Sequence, residues 1–255
     1  THTIFEKGDD SGQNSGDNDE SVDYPYQEAI GALLYLVVNT RPDIAEAVGN
    51  LGQFAKNPTA VHCNGVKRIF RYLKGSSEHG IFYSAKEYDD NSGDGNIVAY
   101  SDANYAECRD SRRSVSGHVV FLAGGPVMWG SRKQKCVTLS TMEAEYIALS
   151  DTAVEVRWAR NLLGELEYEQ DGPTQFFGDN VAANILTKRP GITRKAKHIE
   201  VKYHHIRECV VEGVVRVDHV PTEHNIADIF TKALARDRFN YLREQMVSKI
   251  GRASC

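Results

Sequence analysis

The chain has 255 residues, 41% of them hydrophobic and 25% charged, which is the composition of a globular protein with one large domain or one domain plus an attached helical piece. Its formal net charge is −5, yet seven acids and a single lysine lie within residues 1–23, so that the remainder sums to about +1. The charge therefore excludes no nucleic-acid partner.

Residues 1–22, THTIFEKGDDSGQNSGDNDESV, are acidic, Gly/Ser-rich and nearly free of large apolar groups, so they are expected to be disordered. They show no signal-peptide pattern, and a start on threonine suggests a processed product or an excised fragment. Residues 23–86 read as helical. The apolar run AIGALLYLVV is ten residues, too short to cross a bilayer, and no membrane partner is expected. Pro42 opens TRPDIAEAVGNLGQFAK where a helix does not use an amide hydrogen, and Ile44, Val48, Leu51 and Phe54 follow at helical spacing. NPTAVHCNGVKRIFRYLKG is a further helix, with Gly75 as its cap. The hydrophilic break EYDDNSGDGN, 87–96, is taken as a domain boundary.

From 97 to 235 the pattern is that of an α/β domain. NIVAYSDA, SVSGHVVFLAGG and PVMWGS read as strands joined by short Gly-rich gaps, followed by KCVTLS. A long helix spans roughly 141–166, with Ile147, Val154, Trp158 and Leu162 on one side. Trp129 and Trp158 read as core. TQFFGD is a strand, NVAANILTK a helix, GVVRVDHV the last strand and TEHNIADIFTKAL a helix, and residues 236–255 form a C-terminal helix and tail. This order implies a mixed five-stranded sheet flanked by helices.

Four carboxylates occupy informative places: Asp102 ends the first strand, Glu145 lies one turn into the long helix, Asp179 sits at a strand-to-helix turn, and Asp228 is in the helix after the last strand. Strand ends and helix starts converge in α/β sheets, so the four can meet, and an all-oxygen set suits Mg²⁺. Glu143 is two residues from Glu145, on another side of the helix, and suits a first-turn dipole partner. The five cysteines (Cys63, Cys108, Cys136, Cys209, Cys255) form no C-x-x-C pair, which favours a reducing compartment. His198, His205 and Cys209, with His204 beside them, use zinc-ligand chemistry but lack a clear fourth group, so helix packing or substrate contact is the better reading.

The motifs YSDANYA, RRSVSGHVVFLAGGPVMWGSRKQ, LSTMEAEYIALS, GDNVAA, KHIEVKYHHIRE and VPTEHNIADIFTKAL, in this order, resemble the ribonuclease H domain of copia-type LTR retrotransposon polyproteins. YQEAIGALLYLVVNTRPDIAEAV and GVKRIFRYLKGS resemble the end of the preceding reverse transcriptase. The resemblance implies a ribonuclease H-like fold and a catalytic, metal-binding set of Asp102, Glu145, Asp179 and Asp228. Glu145-Tyr-Ile-Ala fits that family's glutamate motif, and Glu143 does not. It further implies two Mg²⁺ ions, with Mn²⁺ as an alternative, an RNA–DNA hybrid as substrate, an upstream reverse transcriptase as partner, and a cytoplasmic virus-like particle or the nucleus as location. Candidates for substrate contact are Asn180, Arg194, Lys195, Lys197 and His198, with Lys67, Arg68, Arg71 and Lys74 upstream. His219 is a candidate proton carrier, although a surface histidine at a strand end is the plainer reading. No Tyr/Phe-x-Asp-Asp motif occurs, so polymerisation by this chain alone is not expected. Two other readings are a non-catalytic relic that keeps the fold for binding, and a DNA-acting nuclease or integrase on the same fold.

Overall fold

The computed structural model describes residues 24–83, 96–106, 112–189 and 204–249. The expected disordered segment 1–22, most of the 87–96 break, and Arg194, Lys195, Lys197 and His198 lie outside the described residues. The chain divides into two compact units, residues 1–80 with 249–255, and residues 81–248.

In the first unit, helices α1 (Tyr26–Asn39), α2 (Ala45–Gly52) and α3 (Ala60–Gly75) bury one apolar stripe each. Tyr26, Ile30 and Leu33 meet Val48 and Leu51, and Cys63, Val66 and Ile69 close the core. The periodicity of three to four residues is what makes each stripe continuous on its helix. Pro42 begins a 3₁₀ turn, Pro42–Ile44, that leads into α2. This turn is fixed by a buried ion pair, in which the Arg41 guanidinium donates to both oxygens of Asp43 at 2.9 and 2.8 Å. The Tyr72 hydroxyl donates to the same carboxylate at 2.6 Å, and Arg41 also reaches Ser76 Oγ at 2.8 Å. The four exposed cations Lys67, Arg68, Arg71 and Lys74 lie along the outer side of α3.

The second unit is built on a five-stranded sheet of β1 (Val98–Asn104), β2 (Val115–Leu122), β3 (Gly125–Lys133), β4 (Thr174–Gly178) and β5 (Val215–His219). Its order is β3-β2-β1-β4-β5. The first three strands are antiparallel neighbours, while β4 joins β1 and β5 joins β4 in parallel. The sheet is the mixed five-stranded, ribonuclease H-like arrangement expected from the sequence. Helix α4 (Thr141–Glu165) covers one face, joined by α5 (Val181–Lys188) and α6 (His205–Val211), and α7 (Arg236–Glu244) closes the unit. Ile97, Ala99, Val120, Tyr146, Leu149, Val156, Phe176 and Val217 form the core between sheet and helices.

Two details of the sequence reading are corrected. Val154, Trp158 and Leu162 are 54%, 57% and 39% exposed, so only Ile147 of that row is core. Helix α4 instead lies on the sheet through Ala144, Ala148, Ala153 and Ala159, whose small side chains permit close approach. KCVTLS, which follows the third strand, is a loop. It is held by side chains: Gln134 Nε2 donates to Ser116 Oγ at 2.8 Å and to the Ala144 carbonyl at 2.9 Å, and the Thr138 and Ser114 hydroxyls pair at 2.7 Å. TEHNIADIFTKAL forms two 3₁₀ turns, Thr222–His224 and Ile226–Phe230, in place of an α-helix. Asn225, between them, is extended and fully buried. Its Nδ2 donates to the Ser101 carbonyl at 3.0 Å and its Oδ1 accepts from Ala227 N at 3.2 Å, so its backbone is not free to turn helical.

His118 of β2 lies against Gly130 of β3, where a Cβ would come within 2.7 Å of the ring. Burial, reinforced by Arg132, holds its imidazole neutral and lowers its pKa to about 4. The unfolded chain takes up this proton near pH 6.5 and the folded chain only near pH 4, so stability is complete above the first value and declines as pH falls through the window. Urea unfolding of wild type and His118→Gln at pH 7 and pH 5 should show a smaller acid loss in the variant, by about 2 kcal/mol at roughly 1.4 kcal/mol per pH unit. Equal losses in the two proteins would remove His118 as the cause.

Candidate active site

The site lies at the end of the sheet where β1, β4 and α4 meet. The register pairs Asp102 of β1 with Gly117 of β2, and Gly178 ends β4 just before Asp179. Helix α4 begins at a Ser-x-x-Glu box: Ser140 Oγ accepts from Glu143 N at 3.2 Å, and Glu143 Oε2 accepts from Leu139 N at 2.7 Å. With Glu143 turned to the helix start, Glu145 is carried to the sheet end. There Asp102, Glu145 and Asp179 place a carboxylate oxygen each within 4.8 Å of one another. These three line a cleft of about 390 Å³ together with Asn180, Thr222 and Lys232.

The acids are oriented by neutral donors. Thr231 Oγ1 donates to Asp102, and Thr222 Oγ1 donates to Asp179 at 2.8 Å. The Ala103 backbone hydrogen-bonds Glu145. Asp228 is 1% exposed, lies outside the group of three, and is paired with Lys232 Nζ at 2.7 Å and with Arg238. Lys232 Nζ also stands 3.8 Å from Asp102. Burial and the nearby Asp228 carboxylate push Asp102 upward in pKa, and burial and Asp102 do the same to Glu145. Burial opposes the charge on Lys232, but Asp102, Asp228 and Asp179 outweigh it and raise its pKa. Such a cluster is short of positive charge. Hard carboxylate oxygens at this spacing fit a divalent cation of the Mg²⁺ or Mn²⁺ type.

Asn180, expected to touch substrate, lines the cleft and caps α5 by accepting from Ala183 N at 3.0 Å. His219 is exposed at the end of β5, in register with Gly178. Asp228 sits in a 3₁₀ turn and not in the α-helix expected for it. His204, for its part, packs beside Tyr146, its Nδ1 3.0 Å from the phenol oxygen, while His205 Nε2 lies 3.4 Å from Cys209 Sγ. Sequence reasoning assigned no role to Lys232, Thr231, Thr222 or Asn225. The spacing of Lys232, four residues after Asp228, was the available signal. Gly117 was passed over as well: a Cβ there would lie 2.6 Å from Thr231 Cγ2 and 2.7 Å from Phe230 Cβ, so the bare glycine lets the acid-bearing turn rest on β2.

No family model matches the chain. It is 41% identical over 229 residues, 89% of its length, to the retrovirus-related Pol polyprotein from transposon RE1 of Arabidopsis thaliana, and 38% identical over 220 residues, 86% of its length, to that from transposon TNT 1-94 of Nicotiana tabacum. The chain spans 15% and 16% of those two proteins. A shorter relative, secreted RxLR effector protein 161 of Plasmopara viticola, is 45% identical over 134 residues, 52% of this chain and 90% of that one. Among solved structures, LC11-RNase H1 isolated from compost aligns over 54% of this chain and 93% of its own, at 17% identity and a TM-score of 0.42.

Proposed function

The chain belongs to the retrovirus-related Pol polyproteins of copia-type transposons, and from that premise we propose that its α/β unit is a ribonuclease H, a nuclease that hydrolyses the RNA strand of RNA–DNA hybrids during reverse transcription. The observation that carries this reading is the meeting of Asp102, Glu145 and Asp179 within 4.8 Å at the end of a β3-β2-β1-β4-β5 sheet. Asp102, Glu145 and Asp179 would hold the divalent ions, and Asp228 is the fourth acid assigned to the set. Two bound Mg²⁺ or Mn²⁺ ions would supply a water of lowered pKa and positive charge against the departing 3′-oxygen.

The chain's own residues set the geometry. Thr231 and Thr222 fix the rotamers of Asp102 and Asp179, and Asn225 ties the Asp228 turn to the strand that carries Asp102. Asn180, held as a cap beside Asp179, presents an amide where a ribose 2′-hydroxyl could be recognised. His219, in register with Gly178 at the end of the strand that leads into Asp179, is assigned as the candidate proton carrier. Lys67, Arg68, Arg71 and Lys74 are assigned to phosphate contact, with an upstream reverse transcriptase as the partner that grips the duplex.

The test is cleavage by the full chain of labelled duplexes with Mg²⁺ or Mn²⁺: RNA–DNA hybrid, all-RNA and all-DNA. Cutting confined to the RNA strand of the hybrid is the expected result. Cutting of all-DNA would instead favour the integrase-like reading. Duplex binding without any cleavage, even in Mn²⁺, would favour the relic.

A further inference from the structure

The acid cluster already contains a cation of its own. Lys232 Nζ is 2.7 Å from Asp228 Oδ1 and 3.8 Å from Asp102 Oδ2, and it lines the cleft with Asp102, Glu145 and Asp179. We propose that Lys232 is an exchangeable counter-ion: it neutralises Asp102 and Asp228 while no divalent ion is bound, and it yields that place when one binds. The inference rests on the metal site proposed above and adds a residue that regulates its occupancy.

Three features support exchange over a permanent bond. First, the positions are shared. Asp102 belongs both to the three-carboxylate group and to the Lys232 pair, and a divalent ion on Asp102 would repel an ammonium so close to it. Second, Lys232 has somewhere to go. Its side chain is 35% exposed while those of both acids are 1% exposed, and a flexible four-carbon stem lets the ammonium swing to solvent. Third, Asp228 is not abandoned when Lys232 leaves. Arg238 remains on its other oxygen, so the acid keeps one partner while an oxygen becomes available to an ion.

Exchange makes the lysine a competitor of the metal and a support of the metal-free fold, and the two effects have opposite signs. The experiment is Mn²⁺ titration calorimetry on the full chain, wild type beside Lys232→Met and Lys232→Gln, with thermal melting of each in EDTA and in Mn²⁺. Both variants should bind Mn²⁺ about tenfold or more tightly than wild type. In EDTA they should melt below wild type, and Mn²⁺ should raise their melting temperature by more than it raises that of wild type. If Lys232→Met does not fold without metal, Lys232→Gln carries the comparison. Unchanged or weaker Mn²⁺ binding in the folded variants would overturn the proposal. Hybrid cleavage is scored separately: if wild type does not cut but the lysine variants still bind Mn²⁺ more tightly, the nuclease reading fails and the exchange stands. If wild type cuts and the affinities match, the exchange alone fails.

Discussion

Glu145→Gln is expected to reduce hybrid cleavage by about 10³-fold or more, while Glu143→Gln leaves it within a few-fold of wild type. Loss of a residue that merely supports a metal ligand commonly costs 10- to 100-fold, so removing a ligand's charge should exceed that. The amide keeps the shape of the glutamate, and the loss therefore reports charge and not packing. Glu143 differs only by two positions, but its carboxylate is engaged with Leu139 N at the helix start. A glutamine there retains an acceptor oxygen, and the expected change is about 0.5 kcal/mol in stability. Steady-state cleavage of a labelled hybrid measures the first effect and denaturant unfolding the second. The stability of Glu145→Gln should move the other way. Burial and the Asp102 carboxylate raise the pKa of Glu145 to about 10, so the folded chain keeps this group protonated while the unfolded chain ionises it, and stability is lost as pH rises from the ordinary carboxylate range towards that value. The inactive variant should therefore melt above wild type in EDTA at neutral pH. A dead Glu143→Gln beside an active Glu145→Gln would reverse the assignment of the two residues.

Asp43→Asn is expected to destabilise the helical unit by about 3–5 kcal/mol, the range for removing one partner of a buried ion pair. The side chains of Arg41 and Asp43 are 7% and 0% exposed, and the asparagine would leave the guanidinium without its two-pronged carboxylate partner. Tyr72 would lose its charged acceptor at the same time. The loss should appear as a lower urea midpoint in far-UV circular dichroism, with cleavage at low temperature intact. A double variant, Asp43→Asn with Arg41→Met, should recover part of the loss because no uncompensated charge remains buried. If the single variant unfolds at the wild-type midpoint, the pair is not a structural lock.

The sheet and its acids were legible because their signals are local. Hairpin gaps, β-branched runs and the aspartates near strand ends each follow from a few neighbouring residues and imply a mixed five-stranded sheet, whereas its order, β3-β2-β1-β4-β5, comes from the structure. What was missed depends on contacts far along the chain. The row Val154, Trp158 and Leu162 has the spacing of a buried stripe, but the sheet accepted the alanines on another side of α4. IADIFTKAL has helical spacing too, and only the bond from Asn225 to Ser101, 124 residues away, fixes an extended residue ahead of it. Lys232 escaped notice because lysine is almost never buried unless paired, and its partner Asp102 is distant in sequence. The place of Glu143 in the first helical turn was, by contrast, readable as that of a dipole partner, and the structure adds its bond from Leu139 N.

Gly117 gives the site a vulnerability that a census of its acids would not reveal. A methyl group at this position would meet Thr231 Cγ2 at 2.6 Å, and Thr231 is the residue that orients Asp102 while its neighbour Lys232 neutralises it. A relative with alanine in place of Gly117 would retain every carboxylate and yet carry a wedge beneath the turn that aligns them. A count of intact carboxylates would thus pass over a misaligned site, and a single uncharged position belongs beside the acids in any such count.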